Sequence, residues 1–174
     1  MRRWLIALGV VFVVLLCAYW FGVRDSTVEP HLKSLQPVAT IGTGSDAVAV
    51  GANGQILAWL PLSEEQSLPS LPLSEPPKGK LAGPVLQQAR ILGAAPAVLR
   101  PYLESSYYGE TGVDVKLRSG IELRFGDASQ AGAKWKAAAA VLADPSITAL
   151  DYVDLHAPGR PAVGGSGHTL PPVE

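Results

Sequence analysis

The side chains of this chain that could carry chemistry are few and scattered. There are three histidines, His31, His156 and His168, and one cysteine, Cys17. None stands at ligand spacing from another, so the sequence offers no metal-holding set. Asp151 and Asp154 lie three positions apart in a segment that reads as a strand. Alternation there sends their side chains to opposite faces, which rules out a close carboxylate pair for acid–base work. Gly164-Gly165-Ser166-Gly167-His168 brings a hydroxyl near an imidazole, but in a terminal glycine-rich stretch with nothing to fix its geometry. Neither a Gly-x-Ser-x-Gly elbow nor a phosphate-cradling glycine loop occurs. The expectation is a protein that is not an enzyme and uses no cofactor and no metal. Lys134 and Lys136 flank Trp135 and could form a cation–aromatic patch, yet on a helix such charges are expected simply to be solvated. Tyr107-Tyr108 is expected to serve strand or rim packing.

Bulk composition narrows the partners. The net charge is −1, so nothing suggests nucleic acid or an anionic surface. Hydrophobic residues make up 48% of the 174 residues, enough for a core and too many for a disordered chain. Cys17 falls inside the apolar N-terminal run, leaving the rest of the chain without disulfide or thiolate chemistry.

That run, Trp4 to Val23, contains no charged residue. At a helical rise of about 1.5 Å per residue it reaches about 30 Å, the thickness of a bilayer core. Arg2 and Arg3 precede it, whereas Arg24 is cancelled by Asp25, so the N-terminus is expected in the cytoplasm. Trp4, Tyr19, Trp20 and Phe21 stand at its two ends, where aromatic rings prefer the interface. No small-x-small cleavage site follows, which favours an uncleaved anchor over a signal peptide. The expected organisation is a cytoplasmic tail over 1–3, a transmembrane helix over 4–23 in the plasma membrane, and a tether over 24–36. A β domain over 37–164 and a flexible tail over 165–174 complete it.

The elements that must position any site follow from periodicity. Val38 to Ile41, Ala47 to Val50 and Gln55 to Trp59 read as strands, with Asn53-Gly54 as a hairpin turn. Leu60 to Lys80 carries prolines at 61, 69, 72, 76 and 77 and reads as an extended surface loop. A helix starts at Gly83-Pro84, presents Val85, Ala89 and Leu92 on one face, and stops near Gly93. Pro96 could open a second, short helix through Leu103, distorted by Pro101. Val113, Val115 and Leu117, then Ile121, Leu123 and Phe125, alternate with polar residues around Ser119-Gly120, giving two strands with one wet face. Asp127 and Gln130 form a capping-box-like start to a helix whose stripe is Ala131, Trp135, Ala138 and Leu142. Asp144-Pro145 ends it. A strand from Ile147 to Leu155 and a short one at Ala162-Val163 close the domain. The fold class is α+β: one N-terminal transmembrane helix, then a mixed, largely antiparallel sheet packed with two to three helices.

Four segments in order resemble the β domain of the FtsQ/DivIB cell-division family. They are Pro37-Val38-Ala39 with its hairpin; Leu68-Pro69-Ser70-Leu71-Pro72-Leu73; Gly120-Ile121-Glu122-Leu123-Arg124-Phe125-Gly126 running into the helix with Lys134; and Tyr152-Val153-Asp154-Leu155 with Pro158 and Ala162-Val163. Family members normally carry a POTRA domain between anchor and β domain. Only a short stretch separates Arg24 from Pro37 here, so POTRA is expected to be missing.

The resemblance implies a non-catalytic scaffold of the division septum that binds FtsB/FtsL-like coiled-coil membrane proteins by strand addition at its last strand. The residues it singles out are Tyr152, Val153, Asp154, Leu155, His156, Pro161, Ala162, Val163 and Gly164. Tyr152 and Val163 would pack on the partner, the backbone of Ala162 to Gly164 would form the ladder, and Pro161 would set where pairing starts. Ala157 and Gly165 stand where some relatives carry large aromatics. Two other functions compete. One is an anchored envelope module that binds peptidoglycan or another ligand through a groove built on Trp59 and Trp135. The other is an idle paralogue.

Overall fold

The computed structural model describes residues 36–62 and 67–170. The expected anchor over 4–23 and most of the tether lie outside the described residues. Among the described residues, no helix is long and apolar enough to cross a membrane.

Strands β1 (Pro37–Ile41), β2 (Val48–Gly51) and β3 (Ile56–Leu57) pair antiparallel in that order. Asn53-Gly54 turns β2 into β3 as the dipeptide predicts. Gly54 has φ +79°, and a Cβ there would stand 2.6 Å from Leu86 Cδ1, so only glycine fits. Helix α1 (Gly83–Gly93) has proline in its first turn and buries Ala89, Ile91 and Leu92. Five more strands make the second sheet: β4 (Leu103–Gly109), β5 (Gly112–Leu117), β6 (Glu122–Gly126), β7 (Ala149–Asp154) and β8 (Ala162–Thr169). Helix α2 (Ala131–Leu142) crosses from β6 to β7, the one parallel pair in this sheet. The result is the expected α+β class, a mixed and largely antiparallel arrangement with two α-helices among the described residues.

The core is one cluster under both helices. Val113, Val115, Leu117, Leu123 and Phe125 point into it, as their alternation predicts. Trp135 is fully buried beneath α2, its ring centroid 4.8 Å from that of Phe125. Its indole N–H donates to Ile91 O at 2.7 Å and so ties α2 to α1.

Five expectations are corrected. No helix spans Pro96 to Leu103; a single 3₁₀ turn at Arg100–Tyr102 leads straight into β4. The sequence hides β4 because Glu104-Ser105-Ser106 lacks apolar alternation. The loop Leu60–Lys80 is also more than a surface connection. Thr40 N donates to Pro69 O and Leu71 N to Thr40 O, both at 2.9 Å. Ser70 N donates to Glu104 O, and Ser106 N to Ser70 O, both at 3.0 Å. Ser70 thus bridges the two sheets, and Leu71 is buried beside it. Asp127 does not cap α2: Gln130 is the cap residue and bonds no amide through its side chain, while Asp127 accepts from Ser129 N at 3.1 Å. Lys134 is not solvated but 2% exposed. Lastly, β8 runs to Thr169, well beyond Ala162-Val163 and into the residues expected as a tail.

Candidate partner-binding edge

β8 stands at the end of the second sheet, with β7 as its neighbour on one side. Backbone groups alternate in direction along a strand, so the side facing outward can be worked out residue by residue. Leu155 N donates to Arg124 O at 2.8 Å, which turns the odd-numbered groups at this end of β7 toward β6. The even-numbered groups of Tyr152 and Asp154 then face β8. Their partners across the ladder are Gly164 and Ala162, and Val153 stands opposite Val163. The N–H and C=O of Val163 therefore point away from the sheet, while those of Ala162 and Gly164 are spent on β7.

Side chains divide the same way. Val163, 45% exposed, lies on the face of Val153, the core face. Tyr152 lies on the opposite face across Gly164, and a Cβ at Gly164 would stand 2.6 Å from the Tyr152 ring. Tyr152 and Val163 thus offer themselves to an added strand from opposite faces of the sheet. Val153 and Leu155 are fully buried, so their side chains serve the core. Pro161 is exposed just ahead of β8.

The wet face carries a chain of polar contacts that leads to Tyr152. Tyr107 Oη donates to Glu122 Oε1 at 2.6 Å, and burial, reinforced by that carboxylate, pushes its pKa upward. Arg124 Nη2 lies 3.4 Å from Glu122 Oε2, and its guanidinium sits 3.9 Å above the centre of the Tyr152 ring. Asp114, buried nearby, is pushed up by desolvation and by Glu122. Tyr107, expected only in strand or rim packing, and Arg124, whose signal was the polar half of the alternation in β6, join the candidates beside Tyr152.

At the end of β7, Asp154 Oδ1 accepts from His156 N at 2.9 Å and lies 2.8 Å from His156 Nδ1. His156 Nε2 lies 3.1 Å from Thr111 O, in the turn between β4 and β5. The Asp154 contact, aided by the Thr111 carbonyl, raises the histidine pKa. Partial burial works to raise the Asp154 pKa, but the His156 hydrogen bonds win and hold it below the usual carboxylate range. The pair pins the end of β7 to the β4–β5 hairpin.

Among the described residues, no group of three or more His, Cys, Asp or Glu could hold a metal ion. Trp59 is 68% exposed while Trp135 is wholly interior, so the two tryptophans do not form a common ligand groove.

β8 is thus an edge strand on a mixed sheet with a helical crossover between β6 and β7, and an edge of this kind is open to strand addition. The family model for the FtsQ/DivIB cell-division protein, C-terminal region, matches residues 39–156. The chain therefore belongs to the FtsQ/DivIB family, a non-catalytic family that works in cell division within a complex of proteins. No curated protein matches the chain. The matched region stops at His156, so β8 lies beyond it.

Proposed function

We propose that this protein is a septal scaffold of the divisome, held in the plasma membrane by residues 4–23 with its C-terminal domain outside the cell. It binds FtsB/FtsL-like membrane proteins by strand addition along β8. The observation that carries the reading is the outward-facing backbone of Val163 on an edge strand, with an exposed valine side chain on one face and Tyr152 on the other. Unpaired N–H and C=O groups supply affinity in such additions, and the flanking side chains supply register.

The test is co-purification of the full chain with the FtsB/FtsL-like proteins of the same organism, comparing Val163→Pro with the unaltered protein. Because Val163 N–H faces outward, proline removes a donor for the partner and none of the β7–β8 bonds. Loss of capture in a folded V163P protein is the expected result. Capture that survives V163P overturns strand addition at this edge, and absence of capture by the unaltered chain overturns the choice of partner.

A further inference from the structure

The β8 edge is interrupted midway. Tyr152 pairs with Gly164 and Leu150 with His168, so a single β7 residue, Asp151, stands opposite Gly165, Ser166 and Gly167. The excess is a bulge, and the Asp151 carboxylate fills it. Asp151 Oδ1 accepts from Gly167 N at 2.7 Å and lies 3.1 Å from His168 Nδ1. A Cβ on Gly165 would come within 2.0 Å of Asp151 Oδ2, and one on Gly167 within 2.5 Å of Oδ1. Gly165 has φ +79°, a left-handed conformation, so its backbone groups leave the line of the ladder. The glycine-rich run is thus a matched set: glycines leave room for the carboxylate, and the carboxylate stands in for the missing strand partner.

We infer that the Asp151-filled bulge is a stop built into the edge. It confines an added strand to the Ala162–Gly164 end and prevents β8 of one copy from pairing along its length with β8 of another. An uninterrupted edge would present an outward N–H and C=O at every second residue and would suit a second copy of itself. Here Val163 offers its pair, Gly165 turns away, and Gly167 N–H is already taken. The occupant that fits is a short extended segment of a partner that ends or bends beside the bulge. The inference rests on the strand-addition reading, but self-association tests it without any partner.

The test deletes Gly165 and Ser166 from the full chain, leaving Gly167 alone opposite Asp151 and restoring one-to-one register. Self-association is then followed in detergent micelles by sedimentation equilibrium. The unaltered protein is expected to show no association that depends on Val163. The deletion protein is expected to associate at least tenfold more tightly, and V163P in the same background should reverse this. A deletion protein that melts like the unaltered one and still associates no more tightly overturns the stop. So does an unaltered protein whose association V163P abolishes. If the deletion prevents folding, D151A carries the test: faster exchange of the Gly167 amide with new Val163-dependent association supports the stop, and faster exchange without association overturns it. Failure of partner capture with the stop intact would count against the proposed function alone.

Discussion

Lys134 Nζ lies 2.8 Å from the carbonyl oxygen of Phe125, the last buried ring of β6. The same ammonium donates to Asp127 O at 3.1 Å and Asp127 Oδ1 at 2.8 Å, so its three protons all have acceptors. One side chain therefore fastens α2 to the end of β6 and orders the turn between them. Replacing Lys134 by Met should leave the buried Phe125 carbonyl without its donor and cost about 1–3 kcal/mol. The exposed neighbour Lys136, changed the same way, should cost less than about 0.5 kcal/mol. Denaturant midpoints of the two variants check the contrast.

The other end of that contact sets an acid limit. The Lys134 hydrogen bond, helped by Ser129, lowers the Asp127 pKa to about 2. A carboxylate whose folded pKa is depressed contributes fully above its unfolded value and loses that contribution as pH falls through the folded one. The gain over D127N should therefore be present at neutral pH and fade between about pH 4 and pH 2. Asp127 is 65% exposed on its side chain, so the gain is small and should shrink in high salt. Urea melts across that range, at low and high ionic strength, provide the measurement.

His156 gives the opposite pH dependence. Its pKa is raised in the folded protein by Asp154 and the Thr111 carbonyl. The stabilisation is then complete below the ordinary histidine value and is lost as pH rises through the folded one. The stability difference between the unaltered protein and H156Q should be larger at about pH 5 than at about pH 9. Equal differences at both ends would show that the imidazole is not exchanging a proton in this contact.

Ser70 should matter out of proportion to its size. Proline at this position removes the N–H that Glu104 O receives and so one of the bonds joining the two sheets. A loss of about 1–3 kcal/mol is expected. Faster amide exchange at Ser106 should accompany it, because Ser106 N bonds Ser70 O. S70A, which keeps the backbone donor, should leave both measurements close to the unaltered protein.

Much of the fold was legible because it is local. Alternation in Val113–Leu117 and Ile121–Phe125 sets which face is buried, and the Trp135–Ala138 stripe marks the inner side of α2. Asn53-Gly54 and Gly83-Pro84 encode their own backbone angles. The order of these pieces was enough to suggest the family, and two closing strands were expected at Ile147–Leu155 and Ala162-Val163. β4 was not legible, since Glu104-Ser105-Ser106 becomes a strand only by bonding β5 and Ser70. Nor was the burial of Lys134, because an ammonium is tolerated inside only where distant carbonyls meet it, and no spacing rule announces them. The Gly164–His168 run looked like a loose end for the same reason.

The sequence by itself thus determined the periodic elements, their faces and the family, since these depend on neighbours a few residues apart. Only the tertiary structure decided that Val163 rather than Ala162 or Gly164 keeps its backbone free, that Tyr152 and Val163 lie on opposite faces, and that Asp151 fills a bulge in β8. Each of these is a matter of register between strands, and register is set by long-range pairing that no single segment encodes.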